Sequence, residues 1–207
     1  MIALIGKKHG MTQVFGEDGA VVPVTVIEME ENLVVAERTE VRNGYRSVLL
    51  GYSKQSKQRL NKADIGQFPE GVQPRAHLKE MRNFSPEYTL GQELGLEIFT
   101  GVRYVDVAGI SKGKGFQGGM KRHGFGGGRK THGSKFHRDI GSSGQAAWPS
   151  RTYRGRKMAG RMGAERTTVQ NLEVIRMDLG KNLLVVRGAV PGPRGSYVMV
   201  RKAKKKS

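Results

Sequence analysis

The sequence predicts a mainly β protein: an antiparallel β-barrel body interrupted by one long, irregular, basic extension, with few short helices. Three observations carry that prediction. Short apolar runs bounded by glycine, proline and Asx-Gly turns fill the first half of the chain and return near its C-terminus. Between them lies a stretch with neither a strand period nor a helix period. That same stretch holds most of the excess positive charge.

The elements follow in chain order. Met1–Gly6 reads as a short apolar strand. Gln13-Val14-Phe15 and Val21–Ile27 read as two strands around Gly16-Glu17-Asp18-Gly19, whose Asp-Gly step is a hairpin signal. Leu33–Arg38 and Tyr45–Tyr52 are two further strands, joined by a turn at Asn43-Gly44. Ser53–Gln67 is polar and basic, a loop with a short helical turn, and Arg75–Arg82 is expected to form a short helix. Leu96–Ile98 and Arg103–Val107 are expected as strands. After the interruption, Thr167–Met177, Leu183–Val186 and Tyr197–Val200 resume the β pattern. Strands on both sides must share one core, so the interruption is an excursion from the barrel and not a second domain. The expected organisation is a body of residues 1–110 plus 167–200, an extension of residues 111–166, and a basic tail of residues 201–207.

The 207-residue chain has a formal net charge of +18, a pI near 10.4 and no cysteine. Between Ser111 and Arg166 stand 14 lysines and arginines, opposed only by Asp139 and Glu165. The run from Arg201 to Lys206 adds five more, and the rest of the chain is close to neutral, with 17 basic and 16 acidic residues. The extension also carries 14 of the 30 glycines and few aliphatic side chains. Such a segment cannot offset its own ordering entropy by burial. Its aromatics, Phe116, Phe125, Phe136, Trp148 and Tyr153, stand among the cations. That mixture suits phosphate neutralisation combined with stacking on bases, and glycine lets a backbone come close to a nucleic-acid backbone. A polyanion is the implied partner, and nucleic acid fits better than a membrane surface because no basic amphipathic helix is visible.

Several classes are excluded or disfavoured. Without cysteine there are no disulfides and no thiolate metal sites. No apolar run approaches the roughly 20 residues that span a bilayer. The first ten residues do not read as a signal peptide, and a cytoplasmic location is expected. Gly113-Lys114-Gly115-Phe116-Gln117-Gly118 fits the dinucleotide-binding string G-x-G-x-x-G after a strand, but no helical apolar pattern follows and four glycines would break any helix. Gly124 to Thr131 imitates a phosphate loop, yet Arg129 stands where a glycine is needed. His123, His132 and His137 lie close in sequence without a second ligand type beyond Asp139, so base stacking or a phosphate bond suits them better than a metal. No catalytic constellation appears: the acids are scattered over the body, and Ser142 and Ser143 have no adjacent base. A phosphate-cofactor enzyme and a general DNA-compacting protein remain as rival readings, separable by nucleotide binding and by duplex DNA affinity.

Specific strings add a resemblance. Ile5-Gly6-Lys7-Lys8-His9-Gly10-Met11-Thr12 and Pro23-Val24-Thr25-Val26-Ile27-Glu28 resemble the opening of the bacterial ribosomal protein L-three family. Phe99, the run Asp106 to Gly118, and Arg122 resemble its signature, and Tyr153 to Gly163, Thr168 to Leu172 and Lys181 to Gly192 resemble further blocks. The resemblance covers nearly the whole chain. It implies a six-stranded barrel on the subunit surface and an extension running towards the peptidyl-transferase centre. It further implies direct 23S rRNA binding early in large-subunit assembly, and contacts with the ribosomal proteins L-fourteen and L-nineteen. No cofactor and no metal are implied. On this reading Lys7, Lys8, Lys112, Lys114, Lys121, Arg122, Arg129, Lys130, Lys135, Arg138, Arg151, Arg154, Arg156, Lys157 and Arg161 are candidate rRNA contacts. His123, His132, His137 and Gln145 join them, and Phe116, Trp148 and Tyr153 are candidates to stack or wedge. At the expected tip, Gly141-Ser142-Ser143-Gly144-Gln145-Ala146-Ala147-Trp148-Pro149-Ser150 departs from the family string Gly-Ser-Ile-Gly-Gln-Asn-Gln-Thr-Pro-Gly. Ala147 replaces a glutamine that is methylated in some members, while Gln145 is kept.

Overall fold

The structure, a computed structural model, describes residues 2–68, 72–85 and 87–206. Met1 of the expected first strand and Ser207 of the expected tail lie outside those residues. The chain divides into two compact units, one of Met1–Ser111 with Arg166–Ser207 and one of Lys112–Glu165.

In the first unit the strands run in the order β1 (Ala3–Phe15), β2 (Val21–Glu28), β3 (Asn32–Arg38), β4 (Ser47–Lys54), β5 (Arg75–Arg82), β6 (Glu93–Leu94) and β7 (Tyr104–Ile110). In the second unit lie β8 (Phe116–Gln117) and β9 (Gly160–Arg161). The first unit resumes with β10 (Arg166–Asp178), β11 (Leu183–Arg187) and β12 (Tyr197–Lys202). Six of these strands close a barrel in the order β1-β12-β7-β10-β11-β2, all antiparallel. Closure gives every barrel strand two neighbours, which removes the unpaired edges an open sheet would present. Strands β7 and β10, from either side of the interruption, pair with each other, Ile110 lying opposite Arg166 and Val107 opposite Val169. The sharing of one core across the interruption follows from this pairing.

The barrel interior is aliphatic. Leu4, Ile27, Val105, Val107, Leu184, Val186 and Val200 are fully buried, each contributing about 1.5–3 kcal/mol relative to exposure. Two polar groups shape it. A register shift between Val169 and Leu172 marks a bulge in β10, where Asn171 has a φ of 58°. The buried Asp106 accepts the Asn171 backbone N–H at 2.9 Å and faces Arg201 at 3.4 Å, so the bulge's unpaired donor is satisfied. Asn32, also fully buried, accepts from Ile5 N–H at 2.9 Å and donates to Ile5 C=O at 3.0 Å, tying β3 to β1.

The body is more than the barrel. Strands β5-β4-β3-β6 form a second, four-stranded antiparallel sheet. Val34, Val48, Leu50 and Tyr52 on one of its faces join the barrel core, while Leu33, Val35 and Leu49 pack with Phe68, Val72 and Leu78 on the other.

Three expectations for the body are corrected. Arg75–Arg82 is strand β5, not a helix: its Ala, Leu, Lys, Glu and Met favour helix, but a full ladder to β4 from Ser47↔Arg82 to Lys54↔Arg75 outweighs that weak preference. Leu96–Phe99 is a short 3-10 helix, not a strand, and its three-residue turn directs Leu96 and Phe99 into the core together. The separate strands expected at 1–6 and 13–15 are one continuous strand, because β2 pairs with β1 all the way to Phe15↔Val21. In addition β12 runs on through Arg201 and Lys202, so the basic run expected as a tail begins inside the barrel.

Candidate nucleic-acid interface

The second unit is built from backbone contacts, not from a core. Strands β8 and β9 pair at Phe116↔Arg161 and Gln117↔Gly160. The stem continues through Lys114 N–H to Met162 C=O at 2.9 Å and Met162 N–H to Gly115 C=O at 3.0 Å. A single helical turn, Gly119–His123, follows β8 and ends at Gly124 in the left-handed conformation, with Lys121, Arg122 and His123 in its last turn. Arg122 and His123 both donate to the carbonyl of Met158, at 2.8 and 2.9 Å, fastening this turn to the returning strand.

Among residues 112–165 only Gly119 is buried. Glycine has a local cause at two places. A Cβ on Gly128 would stand 1.8 Å from the Phe136 carbonyl oxygen, and one on Gly163 would stand 2.1 Å from that of Lys112 at a φ of +73°. These glycines let the chain approach its own backbone more closely than any side chain would allow.

The candidate residues divide by what the structure does with them. Lys112, Lys114, Lys121, Arg129, Lys130, Lys135, Arg138, Arg151, Arg154, Arg156, Lys157 and Arg161 are exposed, as are His132, His137 and Gln145. Arg122 and His123 are half-buried and bonded as above, His137 donates to Arg129 C=O at 3.1 Å, and Arg156 donates to Ser142 C=O. Phe116 and Trp148 expose 76% and 83% of their surface, too much for rings serving a core, and Tyr153 is half exposed. Lys7, on β1, is half-buried.

Lys8 is corrected. It is buried, and its ammonium donates to Val190 C=O at 2.7 Å and Gly192 C=O at 2.9 Å. It therefore anchors the loop after β11 and presents no charge to a polyanion. Nothing in the string Gly6-Lys7-Lys8-His9 distinguishes the two lysines; only the register of β1 against its neighbours turns Lys8 inward.

A closed β-barrel and a coreless segment of exposed cations and exposed rings define a class: a β-barrel scaffold protein with a strongly cationic segment. The family model for Ribosomal protein L3 matches residues 75–183. The chain is 52% identical to the large ribosomal subunit protein uL3 of Borrelia hermsii over 99% of both chains. It is 47% identical to that of Borreliella burgdorferi (strain B31), over 99% of this chain and the whole of the other. The chain belongs to the ribosomal protein L3 family, whose members are structural components of the ribosome and not enzymes.

Proposed function

We propose that this structural component of the ribosome holds its place in the large subunit by binding 23S rRNA directly, early in assembly. Its extension, residues 111–166, carries that contact and approaches the peptidyl-transferase centre, while the barrel body lies at the subunit surface beside the ribosomal proteins L-fourteen and L-nineteen. The protein acts in the cytoplasm, without cofactor or metal. One observation supports this reading above the others: residues 112–165 bear 13 lysines and arginines against two acids and bury a single glycine. A segment with no core and that much charge gains stability chiefly from a polyanion that neutralises it. Exposed Phe116, Trp148 and Tyr153 supply stacking surfaces for unpaired bases.

The test is a titration of 23S rRNA and of duplex DNA of matched length with full-length protein and with a variant lacking residues 111–165. In that variant Ile110 and Arg166, opposite each other in the β7–β10 ladder, are joined by an Asn-Gly turn. Non-specific binding at near-physiological salt falls at roughly 10⁻⁴ to 10⁻⁶ M. The expected result is much tighter rRNA binding by the full chain, lost in the variant. Equal, salt-sensitive affinity for both polymers would favour a general nucleic-acid condensing role instead.

A further inference from the structure

We infer that the extension carries a base-specific pocket: a recess around Phe136 and Asp139 that takes one unpaired guanine. This deepens the rRNA-binding reading above and rests on it.

The recess lies wholly within the second unit and has a volume of about 660 Å³, the size of a small-ligand site. Gly118 and Gly119 line it with bare backbone, and Phe136, Arg138, Asp139 and Ile140 supply its larger side chains. Its apolar walls are fixed by close packing on glycine. A Cβ on Gly128 would stand 2.4 Å from the Phe136 ring, and one on Gly119 would stand 3.2 Å from Ile140. Phe136 and Ile140 still expose 39% and 37% of their surface, which leaves apolar faces free for a flat ring. The segment between them is pinned at His137: Gly128 N–H donates to its carbonyl at 3.1 Å, and its Nδ1 donates to Arg129 C=O at 3.1 Å. The backbone that carries Arg138 and Asp139 is thereby set before any ligand arrives.

Charge selects the ligand. Asp139 is one of two acids among the 13 lysines and arginines of residues 112–165. It makes no ion pair with Arg138 or with any other described residue. On a surface that only neutralised phosphate, such a carboxylate would cost affinity. An ionised carboxylate accepts hydrogen bonds and donates none. Its two oxygens match two adjacent donors, and among the Watson–Crick edges only guanine offers these, at N1–H and the N2 amine. Adenine and cytosine set an acceptor beside their donor, and uracil flanks its one donor with two acceptors. Arg138, on the same recess, takes a phosphate of the same strand. An apolar wall for stacking, a carboxylate for the base edge and a cation for the backbone together recognise an unstacked base.

The experiment probes purified large subunits carrying the native chain or Asp139→Asn. Kethoxal reports unpaired guanine N1 and N2, and dimethyl sulfate reports adenine N1 and cytosine N3. One guanine should be protected with the native chain and several-fold more reactive with Asp139→Asn. Asp139→Glu, which keeps the carboxylate, should retain most of the protection. Titration of 23S rRNA gives a second readout in which the sign decides. The inference requires Asp139→Asn to bind roughly tenfold more weakly at unchanged salt slope. A carboxylate that only sits in the field of the cations requires tighter binding once it is neutralised. Asp139 is exposed in a segment without a core, and an unchanged far-ultraviolet circular dichroism spectrum verifies that the variant folds. No guanine gaining reactivity, a gain confined to adenine or cytosine, or equal or tighter rRNA binding by Asp139→Asn overturns the inference. Absence of the native chain from large subunits, or its equal affinity for 23S rRNA and duplex DNA, would take down the rRNA-binding reading and this inference with it.

Discussion

Removing the extension should leave the barrel folded and make it more stable. The perturbation replaces residues 111–165 with Asn-Gly between Ile110 and Arg166, which already face each other in register. The excised segment itself buries only Gly119. What changes is the loop that must be closed when β7 meets β10. Shortening it from 55 residues to two lowers the closure entropy by up to roughly 3 kcal/mol on a logarithmic length dependence. For a body of this size that corresponds to a rise in Tm of roughly 6–12 °C. Loss of 13 cations against two acids acts in the same direction by relieving self-repulsion. The assay is urea unfolding followed by far-ultraviolet circular dichroism. Tryptophan fluorescence is unsuitable because Trp148, the only tryptophan, lies in the excised segment. A variant that fails to fold, or whose urea midpoint drops, would refute the reasoning, because the body would then depend on contacts supplied by residues 111–165.

Four further variants have expected outcomes. Lys8→Met leaves the carbonyls of Val190 and Gly192 without their charged donor and should cost about 3 kcal/mol in urea unfolding, with rRNA affinity per folded molecule unchanged. Trp148→Ala should leave the unfolding midpoint of the body unmoved and weaken rRNA binding by about 1–3 kcal/mol at unchanged salt slope, whereas Arg154→Gln should reduce the slope of log affinity against log salt by about one. His77 packs tilted against Tyr197 at 3.7 Å between ring centroids, and burial lowers its pKa from the ordinary 6.5. The unfolded chain thus takes up the proton first, so stability should decline as pH falls through 6.5, and His77→Phe, which keeps a ring there, should flatten that decline in pH-dependent unfolding.

Much of the protein is legible in the order of its residues. The neutral body, the cation-rich glycine segment and the rings within it are properties of composition along the chain, and they need no partner strand to exist. Strong apolar runs such as Leu183–Val186 and Arg103–Val107 declare themselves because each contains enough β-branched or aliphatic residues to form a strand, and the structure extends them to Arg187 and Ile110.

Other features arise only from pairing in three dimensions. Arg75–Arg82 has helix-favouring residues and becomes a strand because β4 offers it an unpaired edge. The polar stretch between Lys8 and Gln13 lacks a strand pattern, yet it stays extended because β2 runs alongside it to Phe15. The second sheet, the inward turn of Lys8 and the union of Leu96 with Phe99 are likewise outcomes of register and crossing, which bring together residues far apart in sequence. Even within the extension, the need for glycine at Gly128 and Gly163 comes from a carbonyl eight residues away in one case and 51 in the other. Local preferences amount to a few tenths of a kcal/mol per residue, whereas a complete ladder or a buried side chain is worth several times more, so the tertiary structure decided wherever the two disagreed.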